Sequence, residues 1–365
     1  MNILILHGLT LKIKRDFLKV PRFIYNKKDC PQDRNTEKLI LSGKHALSKD
    51  LQVMPFVAYE NSRLTARCLV TFYENDNNAY LGYFDSVNDT TISSKLFKEI
   101  EAYIKENNKE SMIGPVDASF WIGYRFRIME NQNEGYNRHF TGEPYNKDYY
   151  ISLWKDYGFD VLDTYKSNMY RHMRKSDIID KYSRRMSDKI LGKYIIRSSS
   201  FDTFDYDLEK IYYLLTKLYS GFPIYKHIEL NQFKELFKSY KRLLHLDMVK
   251  LAFRDGELVG FIICFPDYGN STLGVNNLRK LVKMYYSLNN VTQYVVMYMG
   301  VDSRDLGLGM ILASDINHKL RLLGCSSIGA LIKQGKVTGA YYRELITDTV
   351  EYVTLRKKVE VTDEI

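Results

Sequence analysis

The sequence predicts an α+β (mixed α/β) protein of two domains, each a mixed, mostly antiparallel sheet flanked by helices with a central β-α-β unit. Three observations lead to this prediction. The length of 365 residues exceeds that of one typical domain, about 100–200 residues. Hairpin signatures alternate with amphipathic helical stretches. The same order of elements occurs in both halves of the chain: hairpin, strand, helix, strand, helix, strand.

The first half contains two clear local signatures. Residues 56–74 alternate apolar and polar side chains and turn at Glu60-Asn61-Ser62, which predicts a hairpin. Residues 90–108 place apolar side chains three and four positions apart, which predicts an amphipathic helix. The other predicted elements are a helix at 33–43, strands at 79–87 and 110–116, a helix at 146–159 ending at Gly158, and a strand at 160–173.

The second half repeats this order. The Asp255-Gly256 turn within residues 248–265 is a strong hairpin signal. The other predicted elements are a strand at 194–199, helices at 205–221 and 230–244, a helical insert at 276–290, a strand at 292–301, a helix at 310–324, a strand at 325–332, a short helix at 339–346 and a strand at 350–359.

A basic segment separates the two halves. We expect an N-terminal domain at 1–172, a connecting helix or linker at 173–193 and a C-terminal domain at 194–365. The lysine- and arginine-rich linker fits a solvated helix face and, alternatively, a nucleic-acid patch.

The composition narrows the class of protein. A net charge of +9 suits an anionic partner such as a phosphorylated cofactor, but also a lysine-rich surface without a specific partner. The four cysteines are far apart, and no apolar run approaches the roughly 18 residues of a membrane span. We therefore expect a cytoplasmic protein without membrane insertion. The seven histidines show no metal-binding spacing, so we expect no metal.

The clearest chemical feature is a glycine-rich loop, Arg304-Asp305-Leu306-Gly307-Leu308-Gly309, between a predicted strand and a predicted helix. Glycine permits a tight turn and close approach of a ligand. Free amides at a helix start favour a diphosphate, and Arg304 adds a positive charge. The alternative is an ordinary strand-to-helix turn in which the glycines serve packing.

In this context R-x-x-G-x-G resembles the acyl-CoA loop of the GNAT acyltransferases. The resemblance extends over most of the chain to a group of two-domain GNAT-like bacterial proteins. The motifs that carry it are YLGYFDSVND at 80–89, MIGPVDAS at 112–119, YYxxLxxxYGF at 149–159, GFP at 221–223, DGELVGF at 255–261 and FPD at 265–267.

The resemblance implies acetyl-CoA or another acyl-CoA as co-substrate. It implies that the diphosphate binds the loop and that the pantetheine arm pairs with the preceding strand. The implied contact residues are Met299, Gly300, Val301, Arg304, Asp305, Leu306, Gly307, Leu308 and Gly309. It also implies a tyrosine that protonates the leaving thiolate, Tyr342 or alternatively Tyr341, although core packing explains either residue equally.

The general base stays open, because the strand at 292–301 has no carboxylate. A water, Asp302 or Asp267 are the candidates, and Tyr298 is a further candidate for substrate contact. In the first half, Asp85 and Asp89 stand where glycines are expected and would repel a diphosphate. We therefore expect that the first domain does not bind CoA, and that it contacts substrate, covers the acceptor site or stabilises the second domain.

The leading hypothesis is an N-acetyltransferase or other acyltransferase that moves an acyl group from acyl-CoA to an amine by direct attack. The acceptor is expected to be a small molecule or a peptide. One alternative is a non-catalytic ligand-binding protein that keeps the fold. Another is an aminoacyl-tRNA-dependent transferase, and apart from tRNA in that alternative we expect no nucleic acid as a partner.

Overall fold

The computed structural model describes residues 2–26, 30–129, 139–174, 177, 191–269 and 290–359. Two compact units are present. Unit 1 comprises Met1–Gln132, Pro144–Thr164 and Glu351–Ile365, and unit 2 comprises Asn133–Glu143 and Tyr165–Val350. The predicted helical insert at 276–290, except Asn290, and most of the predicted linker at 173–193 lie outside the described residues.

The structure confirms the predicted mixed α/β class. The α-helices are α1 (Leu11–Phe17), α2 (Pro21–Ile24), α3 (Arg34–Leu41), α4 (Thr90–Glu106), α5 (Tyr150–Asp156), α6 (Phe204–Tyr219), α7 (Leu230–Phe237) and α8 (Leu308–Leu323). The strands are β1 (Ile3–His7), β2 (Gln52–Glu60), β3 (Arg63–Phe72), β4 (Asn78–Ser86), β5 (Ser111–Gly114), β6 (Phe126–Arg127), β7 (Asp160–Tyr170), β8 (Ile195–Ser198), β9 (Val249–Arg254), β10 (Glu257–Pro266), β11 (Gln293–Val301), β12 (Ser326–Lys333) and β13 (Ile346–Lys358).

The sheet of unit 1 has β1 to β5 in sequence order. Its neighbours are antiparallel except for β4 and β5, a parallel pair that α4 connects. The last part of β13 pairs antiparallel with β5. The apolar spacing of α4 buries one face against this sheet, with Ile92, Leu96, Phe97, Ile100 and Ile104 in the core.

The sheet of unit 2 has the order β8-β9-β10-β11-β12-β7. β11 and β12 are its parallel pair, and α8 connects them. Leu308, Leu312, Ile316 and Leu320 of α8 pack against this sheet. The second half of the chain therefore has the predicted central β-α-β unit.

The predicted short helix at 339–346 is wrong. The segment forms two 3₁₀ turns, Val337–Ala340 and Arg343–Leu345. Tyr342 between them has a φ of 50°, and this left-handed conformation interrupts any right-handed helix. Among the described residues, no helix is long and apolar enough to cross a membrane.

Candidate functional site

β11 and β12 separate partway along their length. They pair only over Gln293–Val296 and Ser326–Gly329. β11 continues to Val301, whereas the continuation of β12 pairs with β7 on its other side. Within the described part of the chain, the edge of β11 over residues 297–301 therefore has no neighbouring strand on that side. Its backbone groups are open to an extended ligand.

A β-bulge lies at the point where the strands separate. Tyr298 of β11 is opposite Ile263 of β10, and Val296 is opposite Cys264, so Met297 is an extra residue without a Cα partner on β10. A bulge redirects the local backbone and often lies beside a functional site.

The side chains of residues 299–301 are used in packing. Met299 and Val301 pack on the side of α8. At Gly300 an added Cβ would lie 2.6 Å from Leu218 Cδ1 of α6 and 2.8 Å from Phe261 Cε1, so a larger residue would force these side chains to shift. These residues therefore offer a ligand their backbone rather than polar side chains.

The loop after β11 ends in a helix start without a side-chain cap. Gly307 is the N-cap of α8, with a φ of 89° that glycine adopts at low cost. The Leu308 amide donates to the Asp305 carbonyl at 3.2 Å. Among the described residues, no acceptor takes the amides of Leu306, Gly307 or Gly309. These amides, at the positive end of the helix dipole, form a site suited to an anion.

Asp302 orders the first part of the loop. Its carboxylate accepts hydrogen bonds from the Arg304 amide at 3.1 Å, from the Arg304 guanidinium at 3.0 Å and from Lys217 at 2.8 Å. Arg304 and Lys217 hold the pKa of Asp302 well below its ordinary value. The side chain of Arg304 is 68% exposed, so its charge faces solvent beside the loop.

Asp305 ties the loop to the rest of unit 2. Its buried carboxylate accepts hydrogen bonds from Tyr194 Oη at 2.6 Å and from Arg254, and it lies 3.7 Å from Lys193 Nζ. Counting the groups around Asp302 as well, four cations surround two carboxylates. The loop is thus both fixed in place and net positive, as an anion site requires.

The two leucines of the loop differ in environment. Leu308 is fully buried in the core below α8, whereas Leu306 is 86% exposed. Gly309 is buried, and a Cβ there would lie 2.8 Å from Tyr341 Oη and 3.1 Å from Met299 Cε. The hydroxyl of Tyr341 therefore lies beside the first turn of α8, near the end of the Met299 side chain.

Tyr342 is more deeply buried than Tyr341, although both pack in the same apolar cluster. It is 8% exposed and packs in an apolar cluster with Met173, Ala313 and Leu345. Tyr341 is only partly buried, and its burial raises its pKa. Of the two predicted tyrosines, Tyr341 places its hydroxyl at the helix start.

The remaining predicted substrate residues lie elsewhere on β11. The Asp267 amide donates to the carbonyl of Gln293, at the far end of the strand and roughly 25 Å from the loop at a rise of ~3.3 Å per residue. Its carboxylate accepts from the amides of Thr141 and Gly269, both at 2.9 Å. Tyr298 lies beside the bulge, on the side of α6 and α7. The structure therefore does not bring Asp267 to the loop.

Comparisons with known proteins bear on the fold. No protein-family model and no curated protein matches the chain. Among solved structures, a tandem GNAT protein from the clavulanic acid biosynthesis pathway aligns with a TM-score of 0.51 at 8% identity, over 99% of this chain and 100% of that one. The chain has the tandem GNAT fold. A conserved protein of Enterococcus faecalis V583, described as a probable N-acyltransferase, aligns with a TM-score of 0.54 at 9% identity, over 99% of this chain and 74% of that one.

Both units of the tandem GNAT fold carry a bulge in the first strand of their β-α-β unit. In unit 1, Arg67 is opposite Asp85 and Leu69 is opposite Gly82, so two residues of β4 stand against one of β3. The bulge residue Tyr83 donates its amide to Asp117 Oδ1 at 2.6 Å. The amide at the bulge of unit 1 is therefore taken by a carboxylate of the same unit.

The cleft between β4 and β5 of unit 1 is closed by backbone. The Val116 amide donates to the Leu81 carbonyl at 2.7 Å, and a Cβ at Gly82 would lie 1.9 Å from the Val116 carbonyl oxygen. Asp89 caps α4 by accepting from the amides of Thr91 and Ile92. In unit 1, atoms of the same unit thus bind the backbone groups of β4 and α4. Among the described residues, the corresponding groups of β11 and α8 in unit 2 are open.

The residues that anchor the loop were not found from the sequence. Tyr194, Lys217 and Arg254 are 111, 85 and 51 positions from their partners in the loop. No local sequence pattern predicts which residues form such pairs. Among the anchoring residues, only Lys193 lies in a segment that the sequence marks as basic. Among the described residues, no group of three or more His, Cys, Asp or Glu side chains is placed to hold a metal.

Proposed function

We propose that unit 2 is an acyl-CoA-dependent N-acyltransferase that transfers an acetyl or other acyl group to an amine by direct attack. The observation that carries the proposal is the open edge of β11, which leads from a bulge at Met297 to the uncapped start of α8. An acyl-CoA supplies an activated thioester together with a diphosphate and an extended amide arm.

The residues of unit 2 fit an acyl-CoA. The amides of Leu306, Gly307 and Gly309 suit the diphosphate, and Arg304 adds positive charge beside them. The open edge of β11 suits the amides of the pantetheine arm. At the bulge, a backbone amide near Met297 is suited to hold the thioester oxygen as negative charge develops on it.

In the reaction, the amine nitrogen forms a bond to the acyl carbon and the carbon–sulfur bond breaks. The departing thiolate needs a proton, for which we propose Tyr341, because its hydroxyl lies beside the first turn of α8, near the side chain of Met299 of β11. The raised pKa keeps this phenol protonated at neutral pH. The amine proton passes to water, since Asp302 is tied to cations that make it a weak base.

We further propose that unit 1 does not bind CoA. Asp117 and Val116 take the backbone groups of β4 that would hold a thioester arm. Asp89 takes the amides at the start of α4 and would repel a diphosphate. Unit 1 then has a supporting role, and one CoA should bind per chain.

Calorimetric titration with CoA and with acetyl-CoA tests the proposal. We expect one site per chain. Arg304→Glu should weaken binding by about tenfold or more, because a charge-assisted contact to phosphate is lost and replaced by repulsion. Arg63→Glu is the matched control, since Arg63 is an exposed residue of the unit 1 hairpin.

No binding of CoA at millimolar concentration would contradict the proposal. Equal affinities of Arg304→Glu and Arg63→Glu would place the diphosphate elsewhere, and two sites per chain would show that unit 1 also binds.

A second candidate is a non-catalytic protein that binds acyl-CoA. The observation that favours it is the environment of Asp302, whose carboxylate accepts four hydrogen bonds from Arg304 and Lys217 and is therefore not ready to act as a base at the loop. Thiol release measured over a broad panel of amines distinguishes the two. Tight binding of acetyl-CoA without release above hydrolysis would support the non-catalytic role.

A further inference from the structure

Most of the net charge of the chain comes from its first 44 residues. They contain ten lysines and arginines against four acidic residues, which is +6 of the total of +9. In the structure, this part of unit 1 includes the helices α1, α2 and α3. The Arg34 guanidinium at the start of α3 donates to the carbonyl of Leu18 after α1 at 3.0 Å, so the helices are in contact.

The three helices cover one face of the unit 1 sheet. Phe17 of α1 and Ile40 of α3 are buried there against Val57 of β2, whereas α4 packs on the opposite face. The exposed side chains of α1, α2 and α3 therefore lie on the outside of this layer. We call its exposed charged and large apolar residues the basic face: Leu11, Lys12, Arg15, Arg22, Phe23, Lys38 and Leu39.

The acidic residues of this layer are turned inward. Within α1, α2 and α3, all of which the structure describes, the acidic residues are Asp16 and Glu37, and both are buried. Asp16 accepts a hydrogen bond from Tyr59 Oη at 3.0 Å, and Glu37 accepts two from the Arg67 guanidinium at 2.7 and 3.1 Å. The charged members of the basic face are all cations, so this surface attracts anions.

Large apolar side chains lie among these cations. The exposed fraction is 88% for Leu11 and 66% for Phe23. Leu11 and Arg15 are four residues apart in α1 and are therefore neighbours on the helix surface. Single exposed leucines are common, but leucine and phenylalanine interspersed with lysine and arginine are typical of helices that lie on a membrane surface.

We propose that the basic face binds the surface of a phospholipid bilayer that contains anionic headgroups. The cations contact the headgroups, and the side chains of Leu11 and Phe23 enter the boundary between the headgroups and the acyl chains. A nucleic acid would match the cations but would leave these apolar side chains in water, so the bilayer matches more of the surface. The proposal does not depend on the acyl-CoA site of unit 2.

The test is flotation of the full chain with vesicles of phosphatidylcholine alone and of phosphatidylcholine mixed with phosphatidylglycerol. The protein should bind the mixed vesicles only, and less tightly as salt is added. Arg15→Glu combined with Arg22→Glu should weaken binding at least about 30-fold, because each cation near an anionic surface contributes about fivefold. The matched control is Lys95→Glu with Lys98→Glu, since both lysines are exposed on α4, at the opposite face of the sheet.

A second pair of substitutions tests the apolar side chains. Leu11→Ser combined with Phe23→Ser should weaken binding to the mixed vesicles about tenfold or more, because less apolar surface leaves water. Both side chains are exposed, so the midpoint of urea unfolding should not change. Leu322→Ser is the control, because Leu322 is an equally accessible leucine on α8 of unit 2, 72% exposed.

Several results would overturn this proposal. Equal binding to both kinds of vesicle, or equal weakening by the α4 control, would remove the basic face from the interaction. Binding of a duplex RNA without binding of vesicles would make the partner a nucleic acid. A dimer in solution that Leu11→Ser with Phe23→Ser dissociates, again without vesicle binding, would make the partner a second copy of the chain. Failure to bind CoA would refute the proposed function and leave this proposal intact.

Discussion

Replacing Gly307 by aspartate tests the site at its centre. Gly307 is the N-cap of α8 and has no side chain that could accept hydrogen bonds from the amides of the first turn. At the equivalent start of α4, the carboxylate of Asp89 accepts from the amides of Thr91 and Ile92. Gly307→Asp likewise places a carboxylate at the start of α8, where the diphosphate is proposed to bind.

The expected magnitude follows from one effect on folding and one effect on binding. A left-handed residue other than glycine costs about 1–2 kcal/mol, so the free energy of unfolding should fall by about that amount. At roughly 5 Å and an effective dielectric constant of about 20–80, each phosphate charge adds about 1–3 kcal/mol of repulsion. Two charges raise the Kd for CoA at least about 30-fold.

The assay compares Gly307→Asp with Gly307→Asn by calorimetry with CoA. The two side chains have the same size and similar tolerance of a left-handed backbone, so the ratio of their Kd values reports the charge alone. This ratio should shrink as salt is added. Gly324→Asp is a second control, because Gly324 ends α8 about 24 Å away and a Cβ there meets no atom within 4 Å.

Equal CoA affinity of the aspartate and asparagine variants would refute the proposed diphosphate site. Equal weakening by Gly324→Asp would show that the effect is not local to the loop.

Three further predictions concern single side chains. Tyr341→Phe should lower kcat and leave the Kd for CoA within about twofold. Tyr342→Phe should leave kcat unchanged. Stopped-flow kinetics that show the opposite pattern would exchange the roles of the two tyrosines. Asp305→Asn leaves Arg254 without its charge partner and should lower the free energy of unfolding by about 2 kcal/mol or more in urea titrations, and an unchanged midpoint would contradict the anchoring role. Burial raises the pKa of Asp117 to about 6. The folded state then binds this proton more tightly than the unfolded state, so acidification from pH 7 to 5 should stabilise the protein relative to Asp117→Asn by about 1–3 kcal/mol, and parallel stability–pH profiles would contradict this.

The sequence determined the local features of the fold. The two predicted hairpin turns are present, with positive φ at Asn61 and Ser62 and at Asp255 and Gly256. The glycine-rich loop does lie between a strand and a helix, with Gly307 in the left-handed conformation. These features depend on a few neighbouring residues whose own backbone preferences are strong.

The weaker local signals were missed or misassigned. β1, α1 and α2 were not predicted, and the segment at 339–346 is not a helix. A conformation such as that of Tyr342 is set by the cluster in which its side chain packs, and the intrinsic preference of a tyrosine does not reveal it.

Only the tertiary structure decided which backbone groups stay open. Two features depend on segments far apart in the chain. They are the separation of β11 from β12 and the closing of the unit 1 cleft by Val116 and Asp117. The division of β13 between the units also depends on remote segments. Its first part belongs to unit 2, and residues 351–358 belong to unit 1. Periodicity and turn residues describe a chain over one or two turns of structure. Whether an amide meets a ligand or another part of the protein is settled by packing between remote residues.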